Sequence, residues 1–328
     1  EALTLNATNG AANVLTVNNS LTTVGGAVAL NAKDNIVFGA SGAIASTSGN
    51  VAVTADSDTT GVGTGGSLTM ATASTINAGS GTITLIADEN VVLHGLTTTN
   101  NTANAVAVTS TNGSITEAGG TTEITASSTN AVTTLTAKGS IGDSAANPLA
   151  DATNPLETQV WGLNVVTNAA AAGSEIAVDN TLGSALTVTG MTPSAGQNAS
   201  VYVKRSNGIT VSAWSLSDND NVALIATSGN ITIPDGGSGD IDTNGNLENP
   251  DISVGTGKVR LEAAAGFVQD SGSGALAIQA SDLLIKANEL NSETDASDVG
   301  LITTNFVPHL AASLSGSLSG DLSFDYDL

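Results

Sequence analysis

The chain has no cysteine in 328 residues. That excludes disulfides, zinc–thiolate sites and thiol catalysis at once, and it fits export of a repeat protein through an outer membrane. Aromatics make up only 2% of the residues although 40% are hydrophobic, so any core is built from Val, Leu, Ile and Ala. A globular enzyme of this length fills its centre with larger side chains, whereas a thin solenoid keeps every buried residue within one or two side-chain lengths of the opposite wall. Basic residues are scarce too, seven against thirty acidic ones, for a formal net charge of −23. Such a surface repels phosphate backbones and anionic membranes, which argues against nucleic-acid binding, and it attracts divalent cations. No run of eighteen apolar residues is present to span a membrane, so no membrane insertion is expected. The opening residues Glu1-Ala2-Leu3-Thr4-Leu5 lack the basic and apolar regions of a signal peptide. They read as a processed or internal start in mid-pattern, with no amphipathic helix to cap the first coil.

What fills the polar positions is Thr, Ser, Asn and Gly, charged residues being only 11%. Thr gains in strands from β-branching, while Asn, Gly and Ser supply turns. A mean hydropathy of +0.17 is too high for a disordered polar polymer.

Short alternating strands recur: Val28-Ala29-Leu30, Val51-Ala52-Val53, Leu68-Thr69-Met70, Ile83-Thr84-Leu85 and Val106-Ala107-Val108. Further on come Leu186-Thr187-Val188, Val201-Tyr202-Val203, Val222-Ala223-Leu224, Val259-Arg260-Leu261 and Leu276-Ala277-Ile278. The first series is spaced 23, 17, 15 and 23 residues apart, a loose period near twenty. Weaker strands lie between, at Ile36-Val37-Phe38, Val91-Val92-Leu93, Ile115-Thr116, Ile209-Thr210-Val211 and Ile231-Thr232-Ile233. Two or three short strands per coil, one face inward and one outward, predict an all-β parallel β-helix, a β-solenoid with about 20 residues per coil. A string of antiparallel sandwiches gives similar strands, and the repeat is what favours the solenoid. The expected organisation is a first solenoid block over 1–141, a Pro-containing turn or insertion over 142–159, a second block over 160–290, and an acidic linker with a terminal strand over 291–328.

The stretch from Val28 to Val51 (VALNAKDNIVFGASGAIASTSGNV) resembles the strand repeats of giant secreted bacterial proteins of the filamentous-haemagglutinin type. The turn Ile141 to Leu149, with Asn154-Pro155-Leu156-Glu157-Thr158, is similar to a segment recurring between their blocks. The likeness covers most of 1–290 and is one of rhythm and composition. It implies a right-handed parallel β-helix, secretion, and a place in fibres, adhesion or surface layers, with no family site residues to carry over.

Among candidate sites, Asp240-Ile-Asp242-Thr-Asn244-Gly245-Asn246, closed by Asp251 at the twelfth position, follows the spacing that wraps oxygen ligands around Ca²⁺. Asp251 stands where Glu is usual and Pro250 precedes it, so the match is imperfect; chance acidic turns are also common in this composition. The metal ligands it suggests are Asp240, Asp242, Asn244, Asn246 and Asp251, and Ca²⁺ is the one cofactor indicated. Asp56-Ser-Asp58 and Asp218-Asn-Asp220 read as solvated bends. Gly61 to Gly66 fits G-x-G-x-x-G but leads into a strand, not a helix, which removes the nucleotide reading. His94 and His309 have no evident orienting partner, and the basic residues are mostly solitary, so clustered groups for sugar cleavage are missing. Lys204-Arg205 and Lys258/Arg260 read as exposed strand charges or as partners for acids on a neighbouring coil. Trp161 and Trp214 fill wide places in the core or offer stacking platforms, burial being favoured.

From Leu314 the sequence alternates to its last residue, so Leu322, Phe324, Tyr326 and Leu328 share one strand face. Such a strand pairs with its own last coil or adds to the open end of a second copy. The expected protein is a secreted, non-catalytic building block of an extracellular or cell-surface filament, its partner another copy end to end. The alternative is an adhesin or a calcium-dependent module for surface glycans.

Overall fold

A computed structural model describes residues 1–8, 13–56, 65–120, 122–143, 150–167, 174–193, 199–217, 219–234, 251–270, 276–290, 301–303, 309–314 and 324–326. Every regular element in them is a β-strand, and every ladder between strands is parallel apart from one isolated antiparallel bridge. The fold is a parallel β-solenoid. Two compact units make it up: Glu1–Asp143 with Asn154–Ala169, and Ser144–Thr153 with Ala170–Leu328.

The first unit has three ladders, one for each side of the coil. The first stacks Leu3–Ala7, Val28–Ala32, Val51–Ala55, Ile83–Ala87, Val106–Ser110, Val132–Ala137 and Gly162–Thr167. The second stacks Leu15–Val17, Ile36–Phe38, Leu68–Met70, Val91–Leu93 and Ile115–Glu117. The third runs from Ser20–Thr23 through Ala43–Ser46, Thr75–Asn77, Leu96–Thr97 and Ile124–Ala126 to Leu156–Val160.

Register makes like residues stack. On the first ladder Leu5, Leu30, Val53, Leu85, Val108, Leu135 and Val165 form one inward column, and Ala7, Ala32, Ala55, Ala87, Ser110, Ala137 and Thr167 form a second, small-residue column where the coil bends. Sealing each large aliphatic contributes about 1.5–3 kcal/mol, and a slip by one residue turns the whole column to solvent. Outward positions carry Thr and Asn; Asn31 donates to Asn6 Oδ1 at 2.8 Å. The coil is longer than the spacing of strand signals suggests. Leu3 pairs with Val28, Val28 with Val51, Val51 with Ile83 and Ile83 with Val106, steps of 25, 23, 32 and 23 residues, so a turn takes roughly 25 residues. The shorter expected period arose because Leu68-Thr69-Met70 belongs to the second ladder, between two strands of the first.

Two devices hold the corners. At one of them Gly26, Gly49 and Gly81 stack so closely that a Cβ on Gly49 would lie 2.0 Å from the Gly26 carbonyl oxygen, and one on Gly81 2.3 Å from that of Gly49. Only glycine allows that approach. Elsewhere an Asn preceding a strand points its amide oxygen at the coil above. Asn35 accepts from Ser67 N–H, Asn50 from Thr82 N–H, Asn90 from Ser114 N–H, Asn221 from Lys258 N–H and Asn230 from Phe267 N–H, all at 2.9–3.1 Å. Each satisfies a backbone donor that the ladder leaves open where the strands begin.

In the second unit the main ladder stacks Glu175–Asn180, Ser200–Arg205, Asn221–Ala226, the first half of Lys258–Asp270, Asp282–Leu290 and His309–Leu314. A second stacks Leu186–Thr192, Ile209–Val211, Ile231–Ile233 and the far half of Lys258–Asp270, which crosses from one ladder to the other through a register shift between Ala263 and Phe267. A third stacks Ile252–Ser253, Leu276–Gln279, Leu301–Thr303 and Phe324–Tyr326. Facing columns carry charge here: Asp179 meets Lys204 at 3.1 Å, Lys258 meets Asp282 at 3.0 Å and Glu262 meets Lys286 at 2.8 Å. Lys204 and Lys258 thus find acids on a neighbouring coil.

Candidate functional site

Three carboxylates converge at one corner of the first unit. Glu117 ends the strand Ile115–Glu117, Glu123 immediately precedes Ile124–Ala126, and Glu157 lies in Leu156–Val160. Backbone register brings them together. Ile124 pairs with Thr158, which sets Glu123 against Glu157 one coil on, and Glu123 N–H donates to the Glu157 carbonyl at 2.9 Å. In return Glu157 N–H donates to Glu123 Oε2 at 3.0 Å. Glu117 arrives from the second ladder, in the column of Val17, Phe38, Met70 and Leu93, all of them buried. A glutamate therefore stands at an inward position that four apolar residues occupy below it. The chain turns from Glu117 to Glu123 through Gly119 and Gly120, at φ of 90° and 117°, values that glycine adopts without strain.

One oxygen from each carboxylate lies within 4.8 Å of the other two. Glu123 is wholly buried, Glu117 and Glu157 half-buried. Glu123 Oε1 and Glu157 Oε2 are shut off from solvent and have no hydrogen-bond partner among the described residues. Beside the cluster Asp143 and Asn154 exchange backbone hydrogen bonds of 2.9 and 3.2 Å, and the Asn154 side chain hydrogen-bonds Glu117.

Crowded carboxylates of like charge resist ionising together. Burial, helped by the hydrogen bond and charge of Glu157, pushes the Glu123 carboxyl up to about 8 and that of Glu117 up to about 7. At neutral pH the corner thus holds protons unless a cation replaces them. Sequence reading missed all three residues. Glu117 and Glu157 are each the single acid of an ordinary strand, Glu123 is the residue before one, and Glu157 is 34 positions from Glu123. The available signal was Glu117, a charge two residues after Ile115 and so on the same strand face.

The acidic loop expected to hold Ca²⁺ lies outside the described residues at Asp240, Asp242, Asn244 and Asn246; Asp251, the described member, is buried just before Ile252–Ser253. Of the assembly residues, Leu322 and Leu328 lie outside the described set, while Phe324 and Tyr326 stand on a strand that pairs in parallel with Leu301–Thr303 of the same chain. His94, just past Val91–Leu93, is a buried capping group with partners that the sequence did not reveal: Nδ1 meets the Ser74 carbonyl at 2.9 Å and Nε2 accepts from Ala73 N–H at 3.3 Å. Asp220 caps a bend by accepting from the Ala199 and Ser217 amides. Trp161 and Trp214 are each half-buried.

Arg205 departs from the expected surface charge. It lies on the inward column between Asn180 and Ala226 and is fully buried. Small neighbours make its room, since Ala226, Ala263 and Ala287 follow in that column. Nη1 donates to the Asn180 carbonyl at 3.4 Å, while Nε and Nη2 have no partner among the described residues. Burial pulls its guanidinium down to about 10. Arg260, by contrast, reaches Asp151 at 2.9 Å and Glu262 at 2.8 Å. Asp151 belongs to a short strap from the insertion that covers an outward apolar patch of Ala177, Tyr202, Ala223 and Ile225, with Ala152 packed against it. The Tyr202 hydroxyl meets the Ala152 backbone in a hydrogen bond, and burial, with the nearby Asp151 and Asp179 charges, pushes it up to about 12.

Comparison with family models, curated proteins and solved structures gives no match for this chain.

Proposed function

We propose that the chain is a secreted, non-catalytic structural protein, a stretch of extracellular or cell-surface filament of the filamentous-haemagglutinin type. The observation that supports this is the ladder architecture itself. Within each unit the parallel strands stack coil on coil, with like residues in column and corners fixed by glycine contacts and Asn bridges. In such a stack the interstrand hydrogen bonds run along the coil axis, so a pull in that direction loads many at once, while the aliphatic columns resist slippage. Stacks of this kind can space and carry without a reactive group.

Assembly is end to end, between copies, through strand pairing. Phe324–Tyr326 is one of the two edge strands of its sheet among the described residues, opposite Ile252–Ser253, and edge strands present unpaired N–H and C=O groups that template addition of another chain. Removing 314–328 is expected to leave a folded β-rich monomer that no longer forms filaments in negative-stain electron microscopy. Filaments of undiminished length after that deletion would overturn the assembly role of Leu322, Phe324, Tyr326 and Leu328. Isolated globules from the intact chain would overturn the filament itself.

A further inference from the structure

We propose that Glu117, Glu123 and Glu157 form a site for a hard divalent cation, Ca²⁺, that ties consecutive coils of the first unit together beside the Asp143–Asn154 bridge. Two observations carry it. The first is spacing: Ca²⁺ holds carboxylate oxygens at about 2.3–2.6 Å, so oxygens around one ion stand up to about 5 Å apart, and the three here all lie within 4.8 Å of one another. The second is independent of the clustering. Glu123 is completely buried, and its Oε1, like Glu157 Oε2, is shut off from solvent and meets no hydrogen-bond donor among the described residues unless a carboxyl is protonated. Buried ionised acceptors without donors cost free energy, and a cation among the three carboxylates would take the place of the protons that otherwise relieve them. The ligands come from the second ladder, the third ladder and the next coil of the third, so one ion braces two sides of the coil and two levels of it. Oxygen is the only donor type on offer, which favours Ca²⁺ over the softer, nitrogen- and sulfur-seeking metals.

The test uses the full chain, stripped with chelator, and Ca²⁺ alone as the probe. Isothermal titration and thermal unfolding are compared for the wild type, E123Q, E117Q and the loop variant D240N/D242N, after circular dichroism shows that each is folded. E117Q alters a half-buried group, so it remains informative if E123Q fails to fold. The expected result is saturable binding with a raised Tm in the wild type and in the loop variant, and affinity lower by about tenfold or more in E117Q and E123Q. The proposal is overturned if the wild type does not bind. It is equally overturned if binding survives unchanged in both glutamate variants, as diffuse attraction to a strongly acidic surface would give, or if only the loop variant loses it. Binding is read on dispersed protein, so its failure is separate from any failure of filament assembly.

Discussion

The two units solve the same stacking problem with different materials. Five of the seven basic residues, Lys204, Arg205, Lys258, Arg260 and Lys286, fall in the second unit, and only Lys33 and Lys138 in the first. The second unit therefore has ion pairs between coils, at Asp179/Lys204, Lys258/Asp282 and Glu262/Lys286, and an Arg260–Asp151 contact that fastens the strap. In the first, the described contacts between coils are mostly hydrogen bonds and close packing: Asn–Asn contacts, the glycine corner, and Asn-to-amide bridges of the kind the second unit also has at Asn221 and Asn230. Each also contains one buried charge problem of opposite sign, the Glu117/Glu123/Glu157 corner in the first and Arg205 in the second. A parallel solenoid thus tolerates either surface chemistry, because the backbone ladder and the inward columns are common to both. What differs is the response to salt, pH and cations.

The largest expected effect breaks the first unit at its uncharged corner. Gly81→Ala places a methyl 2.3 Å from the Gly49 carbonyl oxygen, and two adjacent coils must separate to admit it. A loss of about 3–5 kcal/mol is expected, at the top of the range for single substitutions, seen as a lower urea midpoint; an unchanged midpoint would show that the corner is loosely packed. Next, and opposite in sign, is Arg205→Met in the second unit. Replacing a buried guanidinium that has two nitrogens without a partner among the described residues by an apolar chain of similar length is expected to stabilise by about 1–4 kcal/mol. The sign with pH is consistent. Burial pulls the Arg205 guanidinium down to about 10, below its ordinary value, so its penalty is complete at neutral pH and fades only as pH rises above 10. A Met variant less stable than the wild type at pH 7 would show that the guanidinium has found compensation.

The fold was legible where local chemistry repeats. Val51-Ala-Val, Ile83-Thr-Leu and Val106-Ala-Val mark one ladder, and Gly49-Asn50-Val51, Glu89-Asn90-Val91 and Gly229-Asn230-Ile231 mark the bridging Asn at a strand start. The length of a coil was less legible. Strands of different ladders look alike, and the third ladder includes strands as short as Leu96–Thr97 that carry one apolar residue and no alternation. Arg205 was misread because Lys204-Arg205 resembles a surface pair, yet successive strand residues face opposite sides, so only one of the two can be outward. The acidic corner was illegible for a different reason: it exists only once register places Glu123 beside Glu157, and parallel register is set by coil length, the quantity that one sequence determines least well.

A smaller effect sharpens the contrast at the acidic corner. In metal-free protein, Glu123 and Glu117 titrate near 8 and 7 when folded, against 4.5 for the free group. A raised carboxyl holds its proton better in the folded state, so its stabilising contribution is complete below about pH 4.5 and is lost as pH climbs through 7 to 8. Thermal unfolding in chelator is expected to show a Tm that declines across that interval by the equivalent of a few kcal/mol, most of it from the buried Glu123, since solvent screens the half-buried Glu117. Replacing Glu123 by Gln supplies an amide donor and removes most of that slope. A flat profile between pH 5 and 8 in the wild type would show that this corner does not raise its carboxyls.

The smallest effect belongs to the second unit. Lys286 pairs with Glu262 at 2.8 Å, but Glu262 also accepts from Arg260 Nε at the same distance, so its carboxylate keeps a cation when Lys286 is removed. Lys286 is the most exposed member of the group, its side chain 48% accessible, and an exposed pair contributes about 0.2–1 kcal/mol and is screened by salt. Lys286→Ala is therefore expected to cost no more than about 0.5 kcal/mol at low ionic strength, shrinking towards zero in molar salt. Glu262→Ala removes the shared carboxylate of both cations at once, so it is expected to cost more and to loosen the strap. Limited proteolysis of the 144–153 segment reads that difference directly: faster cleavage in the Glu262 variant than in the Lys286 variant is the expected order, and equal rates would mean that the apolar patch under Ala152 holds the strap without help from charge.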